Sequence, residues 1–286
     1  MSRRPDLRSL RGRRVLITGA ASGIGRATAI ASAADGATVY LTDRNEAALH
    51  DVAAEIRAAG GTVGLAHAAD VSDAVDVAAL AKAVHDEGGP VDVVMNVAGI
   101  ATWGTVDRLS VEQWRRTVDV NLMGPIHVIS AFVGPMVTAK RGGHLVNVSS
   151  AAGLLGLPWH APYSASKFGL RGVSEVLRFD LRPSGIGVSL VCPGGVATPL
   201  TSTVDIAGVD THNDTFAKVR HRFERRAVTP EQAAKAILRG VHRNKYMVYT
   251  SRDIQGAYLL QRVFPPAYNA IMRGMNLAMR RILKPA

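Results

Sequence analysis

Short apolar segments alternate with longer alanine-rich segments through most of this sequence, and the alternation limits the possible folds more than any other feature. The short segments are rich in Val, Ile and Leu, whereas the long ones show helical periodicity. Strands joined by helices pair in parallel, because each helix crosses one face of the sheet before the next strand begins. The predicted strands are 14–18, 38–42, 62–67, 91–96, 144–149, 187–191 and 246–249. The chain is therefore expected to be an α/β protein with a doubly wound, parallel, seven-stranded sheet and helices on both faces.

The helical segments predict a single domain with an extension at each end. They cover residues 21–34, 46–59, 73–87, 111–138, 164–182 and 230–243, and the expected N-caps include Ser72, Ser110 and Thr229. We expect a basic arm at 1–12, the domain itself at 13–250, and a basic amphipathic helical tail at 251–286. Within the domain, 199–228 is the expected substrate-loop region. Its polar part, 201–214, shows no strand signal and suits either a mobile flap over a site or an ordinary surface loop.

Composition narrows the class of protein further. The chain has 286 residues, of which 47% are hydrophobic and 20% charged, enough for one large buried core. Cys192 is the single cysteine, so no disulfide can form within the chain and a cytoplasmic location is expected. The arginine-rich start is not followed by the apolar segment of a secretory signal. No uninterrupted apolar run is long enough to predict a membrane span.

The positive charge raises the question of nucleic acid. The formal charge is +11, and a basic surface attracts phosphate whatever the base sequence. The excess lies in the N-terminal arm, in 218–226 and beyond Arg252, while the middle of the chain is nearly balanced. Most of it is interpreted as solvated surface, so no specific nucleic-acid partner is expected.

A glycine-rich loop follows the first predicted strand and leads into an alanine-rich helix. One of its glycines would permit a tight turn, one would let the backbone approach a pyrophosphate, and one would allow close packing of helix on strand. The helix N-terminus would present free N–H groups to the anion. A purely structural turn is the alternative, because such a loop alone is a weak signal. The residues expected to contact a dinucleotide here are Gly19, Ser22, Gly23, Ile24 and Gly25.

Asp43 strengthens the prediction of a dinucleotide site. It falls at the end of the second predicted strand, 18 residues after Gly25, where a carboxylate can accept both hydroxyls of the adenosine ribose. A 2′-phosphate would meet like charge at Asp43, which favours NAD over NADP. The neighbouring Arg44 could instead turn toward a 2′-phosphate. NAD is therefore the expected preference, with NADP as the alternative.

Tyr163 and Lys167 are the predicted proton-transfer pair. They lie four residues apart at the start of a predicted helix, so both side chains occupy one face. A free tyrosine has a pKa of about 10, and lowering it toward 7 takes about 4 kcal/mol of phenolate stabilisation. One positive charge about 4 Å away supplies about that much at an effective dielectric near 20. Tyr163 could then exchange an alcohol proton near neutral pH.

Taken in order, these motifs resemble those of the short-chain dehydrogenase/reductase family. The matching residues are Thr18-Gly19 with Gly23 and Gly25, Asn96-Val97-Ala98-Gly99, Asn121, Ser149-Ser150, Tyr163 with Lys167, and Pro193-Gly194. They run from about Gly12 to about Tyr249, and their joint order is far more specific than any one motif. The resemblance implies a Rossmann-like, NAD(P)-binding catalytic domain at 13–250. It also implies an oxidoreductase that acts on an alcohol or ketone, and a homodimer or homotetramer.

The resemblance also implies roles for single residues. Ser150, 13 positions before Tyr163, corresponds to the family's catalytic serine and would hold the substrate oxygen, with Ser149 as the other candidate. Asn121 would shape the backbone of a proton relay that links Lys167 through water to solvent. Lys167 would in addition bind the nicotinamide ribose. Each of these polar groups could instead be a satisfied member of the core.

Further cofactor contacts are implied after the later strands. Asp70 and Val71 would line the adenine site, and Asn96, Ala98 and Gly99 would pass close to the adenosine ribose and pyrophosphate. Val196 and Thr198 would meet the carboxamide, and Pro193 and Gly194 are further expected cofactor contacts. Val97 departs from the usual family sequence Asn-Asn-Ala-Gly, which leaves one side-chain hydrogen bond unmade. No metal site is predicted.

Apolar residues near the predicted site favour a bulky, lipophilic alcohol or ketone as substrate. They are Trp103, Leu154, Leu155, Leu157, Pro158 and Trp159. Core packing explains these residues almost as well. Segment 153–163 is similar to hydroxysteroid and retinol dehydrogenases, but it does not identify the substrate. His160 is interpreted as a loop residue and not as a ligand or base.

The tail has a basic amphipathic pattern that starts at Pro265-Pro266. Its apolar residues are Phe264, Tyr268, Ile271, Met272, Met275, Met279, Ile282 and Leu283, and its cations are Arg273, Arg280, Arg281 and Lys284. Such a helix could lie on an anionic membrane surface, pack over the substrate pocket or contact another subunit. Packing on protein is the favoured interpretation, and a peripheral membrane contact is the alternative.

Two functional classes stay open. The first is an active dehydrogenase or reductase. The second is a regulatory or nucleic-acid-associated protein that binds a cofactor on the same fold, as the basic surface suggests. The enzyme is favoured because a pure binding protein has no need of Tyr163. The substrate and the direction of hydride transfer do not follow from the sequence.

Overall fold

Seven parallel strands form the centre of the chain, whose computed structural model describes residues 6–209, 211, 216–218, 221, 225 and 227–283. The described residues hold these seven strands and two short ones outside the central sheet. In chain order they are β1 (Arg14–Thr18), β2 (Thr38–Asp43), β3 (Thr62–Ala68), β4 (Val93–Asn96), β5 (Thr102–Trp103), β6 (Gly143–Val148), β7 (Ile186–Cys192), β8 (Asp205–Ile206) and β9 (Met247–Tyr249). The main sheet has the order β3-β2-β1-β4-β6-β7-β9, and β5 pairs separately with β8. The chain order reverses at β1, which lies between β2 and β4. The prediction of a doubly wound, seven-stranded parallel sheet is confirmed.

Helices cover both faces of this sheet. They are α1 (Gly23–Ala34), α2 (Glu46–Ala58), α3 (Ala74–Gly88), α4 (Val111–Val118), α5 (Gly124–Ala139), α6 (Ala161–Asp180), α7 (Pro230–His242), α8 (Arg252–Val263) and α9 (Pro265–Leu283). Successive residues of a strand point to opposite faces, so Val15 and Ile17 of β1 join the core under α1, α2 and α7. Leu16 joins the other core, under α3 and α5. The two apolar layers explain why the strand sequences are apolar throughout.

The predicted single helix at 111–138 is interrupted by a π-helical segment, Asp119–Met123. A π turn holds one residue more than an α turn, so it shifts the faces of α4 and α5 relative to each other. The whole stretch Val111–Ala139 has the length and hydropathy of a membrane-crossing helix, which the search for uninterrupted apolar runs did not reveal. Val128 and Phe132 on its inner side are fully buried against the sheet. Only 33% of its most apolar window is buried inside the chain, so one side of the stretch packs in the core.

Ser72 is not the N-cap of the third helix, contrary to the prediction. Its hydroxyl donates instead to the Asp70 carboxylate, at 2.6 Å. Asp73 caps α3 by accepting a hydrogen bond from the Val75 N–H, at 2.7 Å. Carboxylate and hydroxyl caps are similarly favourable, so the choice between neighbouring cap residues depends on which of them has another partner. Ser110 and Thr229 do cap α4 and α7, each in a capping box.

The loop after β7 contains a short strand where the sequence predicted none. Thr102 pairs with Asp205 and Trp103 with Ile206, and Val204 and Ile206 are buried. A strand of two residues is too short to show alternation, which explains why the pattern was missed. Parts of the predicted regions 201–214 and 218–226 lie outside the described residues, as do Arg3, Arg4 and Lys284.

The two terminal segments pack on the domain. Leu7 and Leu10 are buried in the core beneath α1, and the Leu10 N–H donates to the Asp35 carboxylate at 2.8 Å. The tail forms two helices, α8 and α9, and α9 begins at Pro265 as predicted. The C-terminal helical extension is thus present.

Candidate active site

The predicted site residues gather where the central strands end. Thr18 closes β1, Asn96 closes β4, Ser149 and Ser150 follow β6, and Cys192 closes β7. The carboxyl ends of parallel strands share one edge of the sheet, and the crevice beside the point of order reversal is where such sheets bind ligands. Tyr163 and Lys167 lie in the first two turns of α6, which begins beside this edge.

Lys167 is held beneath the ring of Tyr163. Its Nζ lies 5.7 Å from the centre of the tyrosine ring and donates a hydrogen bond to the Val148 carbonyl at 3.0 Å. Only 4% of Lys167 is exposed. Burial disfavours the ammonium and lowers the pKa of Lys167 to about 8, while the nearby Cys192 acts weakly in the other direction. The lysine therefore carries a positive charge at neutral pH but is close to losing it.

Tyr163 is subject to two opposing effects. Burial raises the pKa of the phenol, and a hydrogen bond with Ser150 lowers it. The net direction in the protein alone is upward. Because the described residues leave the phenol's pKa above its usual value, further positive charge at this edge is needed before Tyr163 can act as a base near pH 7.

The two candidate serines have different partners. The Ser149 hydroxyl donates to the Lys167 carbonyl at 3.0 Å and is thereby committed to holding α6. Ser150 is the N-cap of a short 3-10 turn, Ala151–Gly153, and its Oγ accepts from the Ala152 N–H at 3.1 Å. Its hydroxyl proton is the group that can reach Tyr163 or a substrate oxygen. The geometry therefore favours Ser150 over Ser149.

Asn121 lies within the π-helical segment and is fully buried. Its side chain makes a double hydrogen bond with the backbone of Ile100, accepting from N–H at 2.8 Å and donating to the carbonyl at 2.9 Å. Its Nδ2 also lies 3.4 Å from the Ser166 Oγ, and that hydroxyl donates to the Tyr163 carbonyl. Asn121 thus joins the loop after β4 to the first turn of α6.

The glycine-rich loop has the conformation that its glycines permit. Gly19 and Gly23 have φ of 67° and 51°, in the left-handed region that L side chains rarely adopt. A Cβ on Gly19 would lie 2.8 Å from the Ala98 Cα, and a Cβ on Gly25 would strike the Gly19 carbonyl. Ser22 precedes α1 without any side-chain cap, and the first turn contains no acidic residue. The N–H groups around Gly23 and Ile24 are therefore available to an anion.

Asp43 holds this loop in place through the backbone. One carboxylate oxygen accepts from the Ala21 N–H at 3.1 Å, and the other accepts from the Asn45 N–H at 3.0 Å. Thr18, which the sequence analysis did not single out for this role, has a matching task. Its hydroxyl accepts from the N–H groups of Val97 and Ala98 at 3.0 and 3.1 Å, which joins the glycine loop to the end of β4. A threonine at the end of a strand gives no sequence signal of such a link.

Arg44 and Asp70 face each other beside this loop. Burial raises the pKa of Asp70, but hydrogen bonds from Ser72 and the charges of Arg44 and Arg116 outweigh it, so the pKa is lowered overall. Val71 is buried, and its carbonyl lies 3.0 Å from Nδ1 of His127. Arg44 itself is exposed. Its charge therefore acts toward Asp70, on the side predicted for adenine.

Asn96 is directed into the core, while Ala98 and Gly99 line the edge of the sheet. The Asn96 Nδ2 donates to the Asn147 Oδ1 at 2.9 Å, in a buried amide pair that sequence analysis missed. Any contact of Asn96 with a ribose must therefore come from its backbone. A Cβ on Gly99 would lie 3.0 Å from the Asn121 Oδ1 and 3.4 Å from the Lys167 Nζ. Gly99 thus leaves open a space directly above Lys167.

The segment after β7 forms the far side of the same space. The Pro193 carbonyl accepts from the Ala151 N–H at 2.7 Å, which places it beside Ser150. The Gly194 N–H donates to the Thr250 hydroxyl at 3.3 Å. Val196 pairs with Val228, and the Thr198 side chain lies opposite Gly23, 3.1 Å from where its Cβ would be. Pro193 therefore lies next to Ser150 and Thr198 opposite the glycine loop, whereas Gly194 and Val196 contact Thr250 and Val228.

These residues fit a nicotinamide dinucleotide. The uncapped N-terminus of α1 offers N–H donors to the pyrophosphate, and the glycines let the backbone of the loop pack closely on itself and on Ala98. The hydroxyls of Ser150 and Tyr163 and the ammonium of Lys167 lie at the same edge of the sheet as Asp43. A ligand that runs from an acidic ribose contact to a proton-transfer group matches this arrangement.

The expected apolar lining is only partly directed at the site. Leu154 and Leu155 are 1% and 3% exposed and pack with Leu190 and Cys192, so core packing accounts for both. Trp159 is buried beneath the tail. Trp103 does approach the site, because its ring lies 4.4 Å from that of His160.

His160 lies closer to the reacting groups than the sequence indicated. It occupies the N-cap position of α6, and its ring centre is 6.4 Å from that of Tyr163. Its Nδ1 lies 2.6 Å from the Pro158 carbonyl. Burial lowers the pKa of His160, so the ring is neutral near pH 7. Its place directly before α6 was the available signal, since it lies three positions before Tyr163.

The sheet and this edge define an α/β domain of the dinucleotide-binding type, in which a tyrosine and a lysine lie one turn apart on α6. A family model described as short chain dehydrogenase matches residues 13–207. The chain belongs to the short-chain dehydrogenase/reductase family of NAD(P)-dependent oxidoreductases.

Named relatives and solved structures share this fold. The chain is 35% identical over 263 residues to a probable oxidoreductase, EphD, of Mycobacterium tuberculosis, a match that covers 91% of this chain but only 44% of that protein. It is 40% identical over 194 residues to a D-threitol dehydrogenase of Mycolicibacterium smegmatis, covering 67% of this chain and 73% of the relative.

Two crystal structures resemble the whole domain. A short-chain dehydrogenase/reductase from Burkholderia phymatum in complex with NAD matches with a TM-score of 0.81 and 29% identity, covering 89% of this chain and 94% of the other. An alcohol dehydrogenase from Thermococcus sibiricus complexed with 5-hydroxy-NADP matches with a TM-score of 0.71 and 25% identity, covering 83% and 95%. Neighbours of this fold thus bind either cofactor.

Proposed function

We propose that this chain catalyses reversible hydride transfer between NAD(P) and a secondary alcohol or ketone, with residues 13–250 as the catalytic domain. One observation carries the proposal: Ser150, Tyr163 and Lys167 lie together at the same edge of the sheet as the glycine-rich loop and the uncapped N-terminus of α1. A purely regulatory or nucleic-acid-associated role would leave this convergence unexplained. Nothing in the site favours that second class.

The bound cofactor supplies the hydride acceptor in oxidation and the hydride donor in reduction. In oxidation, the Ser150 hydroxyl donates a hydrogen bond to the substrate oxygen, and the Tyr163 phenolate removes the alcohol proton. The Lys167 ammonium, whose Nζ lies 5.7 Å from the centre of the tyrosine ring, stabilises the phenolate by about 3 kcal/mol at an effective dielectric near 20. Asn121 fixes the turn that carries Tyr163, through Ser166 and Ile100. In reduction the same groups return the proton in the opposite order.

NAD is the proposed preferred cofactor. Asp43 keeps a carboxylate at the end of β2, where a 2′-phosphate would meet like charge. Arg44, a neighbouring cation that could compensate, is exposed and also helps to lower the pKa of Asp70, so it is shared between two carboxylates. The NAD/NADP ratio of kcat/KM should therefore exceed 1 and fall by at least about tenfold in Asp43→Asn. A wild-type ratio below 1 contradicts the preference.

The proposed substrate is lipophilic. Tyr163 belongs to an apolar cluster that includes Trp103, Leu200, Ile206 and Met279. An apolar ligand gains about 25 cal/mol for each Å² that it buries in such surroundings. The D-threitol dehydrogenase relative indicates small polyols as the competing class. A matched panel of polyols and long-chain secondary alcohols separates the two classes.

Self-association through α6 and an adjoining helix is proposed for the homo-oligomer. Apolar side chains that are unusually exposed for their type lie on the outer faces of α4, α5 and α6. They are Val111, Val137, Phe168, Val176 and Phe179. A homodimer or homotetramer would cover them. Sedimentation should show an oligomer for the wild-type protein and a smaller species for Phe179→Asp. A monomeric wild-type protein rejects the proposal.

We propose a cytoplasmic protein with peripheral membrane contact through α9. Ile271, Met275 and Ile282 are 50%, 38% and 44% exposed and share one face of that helix, while Arg280 and Arg281 lie beside its end. Flotation with vesicles of an anionic phospholipid should carry the intact protein, and should not carry Ile271→Asp with Ile282→Asp. Equal, negligible flotation of both proteins removes the membrane proposal.

Turnover tests the reaction itself. The wild-type protein should oxidise secondary alcohols with NAD, and Tyr163→Phe should lose at least about 10³-fold in kcat/KM because the proton acceptor is gone. Cofactor fluorescence titration should give the same Kd for both proteins, which controls for folding. Retained turnover in Tyr163→Phe would contradict the proposed mechanism.

A further inference from the structure

Helix α9 forms hydrogen bonds with segment 156–159, which leads into α6. At one end of this segment, the Tyr268 hydroxyl accepts a hydrogen bond from the Gly156 N–H at 3.0 Å and lies 3.3 Å from the Gly156 carbonyl. At the other end, Trp159 Nε1 donates to the Asn276 Oδ1 at 3.1 Å. Tyr163 follows four residues after Trp159. The tail therefore holds both ends of a short segment that determines where α6 begins.

Trp159 has a backbone conformation that needs such support. Its φ is 66°, in the left-handed region, where a bulky residue is a genuine outlier. The indole is only 6% exposed, and the Trp159 carbonyl accepts from the Gly104 N–H at 2.8 Å. Strained residues persist only where the surroundings fix them, and they concentrate at functional sites. Here one fixing group comes from α9 and the other from the residue after β5.

The same helix adds apolar side chains to the surroundings of Tyr163. Met279 and Leu283 pack in one cluster with Tyr163, Trp159 and Ile206. Met279 and Leu283 lie three and seven residues after Asn276, so all three occupy the inward face of α9. The hydrogen bond to Trp159 and the apolar contacts near Tyr163 thus come from the same face of α9.

We propose that α9 is a wall of the substrate pocket and that Asn276 is a positioning residue. By holding Trp159, Asn276 fixes the segment 156–160 against which the substrate binds, and Met279 and Leu283 limit the size of the substrate's apolar part. The inference deepens the proposed alcohol/ketone oxidoreductase and rests on it. It predicts that the tail selects bulky apolar secondary alcohols without affecting the cofactor.

Asn276 variants with and without a hydrogen-bond acceptor test the positioning role. Asn276→Leu keeps the volume but loses the acceptor, whereas Asn276→Asp keeps the acceptor. We expect Asn276→Leu to raise KM for a bulky secondary alcohol about tenfold with kcat nearly unchanged. Asn276→Asp should stay within about threefold of the wild type, and the NAD Kd should be the same in all three proteins. An unchanged KM in Asn276→Leu overturns the proposal.

A double-mutant cycle identifies the partner. Trp159→Phe removes the indole N–H and keeps an aromatic ring, so it should have the same effect as Asn276→Leu. The double variant should be no worse than either single one, because both remove the same hydrogen bond. Fully additive effects contradict a shared interaction. Arg273→Ala, an exposed change on the same helix, serves as the control and should leave KM unaltered.

Hydrogen exchange separates failure of the inference from failure of the proposed function. If the wild-type protein turns over none of the alcohols or ketones, the proposed function fails. The effect of Asn276 on the local stability of segment 156–160 can still be measured. Amides in this segment should exchange at least about fivefold faster in Asn276→Leu than in Asn276→Asp, since local opening becomes easier. Equal exchange in the two variants rejects the positioning role whatever the activity.

Discussion

The cofactor side and the substrate side of this domain are held together by different means. The cofactor side consists of residues 18–25, Asp43 and 96–99. It is fixed by backbone hydrogen bonds to Thr18 and Asp43 and by glycines that have no room for a Cβ. The substrate side consists of 101–104, 154–160, 200–209 and α9. It is fixed by an apolar cluster and by single hydrogen bonds from the tail.

The difference shows which side can vary. A backbone-held loop tolerates almost no change in shape, which suits a ligand whose pyrophosphate and ribose never vary. Apolar contacts are nondirectional, so side chains of similar volume can replace one another at small cost. Substitutions should therefore affect cofactor binding sharply on one side and substrate choice gradually on the other.

Lys167 lies at the boundary of the two sides, and its removal should have the largest effect. Lys167→Met keeps the length of the side chain but loses the charge that stabilises the Tyr163 phenolate. A loss of about 3 kcal/mol corresponds to roughly a 10²-fold fall in kcat/KM. Steady-state kinetics with a secondary alcohol measures it. Restoring activity at high pH, where Tyr163 ionises unaided, would support this explanation, whereas a fall of less than about tenfold argues against it.

The same lysine should make stability depend on pH in the cofactor-free protein. The pKa of Lys167 is about 8 in the folded chain against 10.5 as its ordinary value, so between these pH values the unfolded chain binds more protons. Stability therefore rises with pH across this window, by up to roughly 3 kcal/mol. Urea unfolding of the wild type and of Lys167→Met at pH 7.5 and 10.5 gives the difference. A wild-type stability that does not rise relative to the variant contradicts the buried ammonium.

Gly25→Ala should damage the cofactor side alone. Its methyl group would strike the Gly19 carbonyl and displace the loop, so the NAD Kd should rise at least about 100-fold, or about 2.7 kcal/mol. Gly172→Ala in α6 is the control, because a Cβ there meets nothing within 4 Å. Fluorescence titration compares the two proteins. If both bind NAD equally well, the loop is less rigid than its contacts indicate.

Met279→Ala should change the substrate side alone, and by less. Opening the wall near Tyr163 should shift the kcat/KM ratio of large to small secondary alcohols by about tenfold, the usual scale for a change of a few methylenes in an apolar pocket. The NAD Kd should not change. Leu277→Ala removes an equally apolar side chain that is 56% exposed on the same helix, and it should leave the ratio unaltered. Equal shifts in both variants would mean that α9 acts only through stability.

Helix caps give the smallest of these differences. Asn45 accepts a hydrogen bond from the Ala48 N–H at 3.2 Å, whereas Ser22 makes no cap bond. Asn45→Ala should lower the free energy of unfolding by about 1 kcal/mol, and Ser22→Ala by almost nothing. Thermal unfolding without cofactor measures both. A similar loss in Ser22→Ala would mean that the N-terminus of α1 is not free for a ligand.

The sequence predicted those features that repeat or that only a few residue types can provide. Alternating apolar segments gave the sheet, and the ordered motifs led to the family, because strand periodicity and glycine conformations are local properties. The chemistry of Ser150, Tyr163 and Lys167 remains a prediction, although the fold brings the three residues together.

The remaining features depend on tertiary contacts. A search for strand alternation cannot find a two-residue strand such as Asp205–Ile206, and Leu154 and Leu155 gave no sign that they face Leu190 and not a substrate. Nor does the sequence show that Asn276 meets Trp159, 117 residues away. Such contacts are set by how the tail folds back, which no local pattern encodes.

The π-helical segment Asp119–Met123 has a consequence for insertions and deletions in this family of sequences. One residue in that turn is surplus to an α-helix, so deleting a single residue there could restore an unbroken helix without shortening any loop. The deletion would rotate everything before it by about 100° relative to α5. Asn121 would leave Ile100, and α4 would lose its register against α6. A gap of one residue is therefore expected to be tolerated in the loops around this helix and not within it.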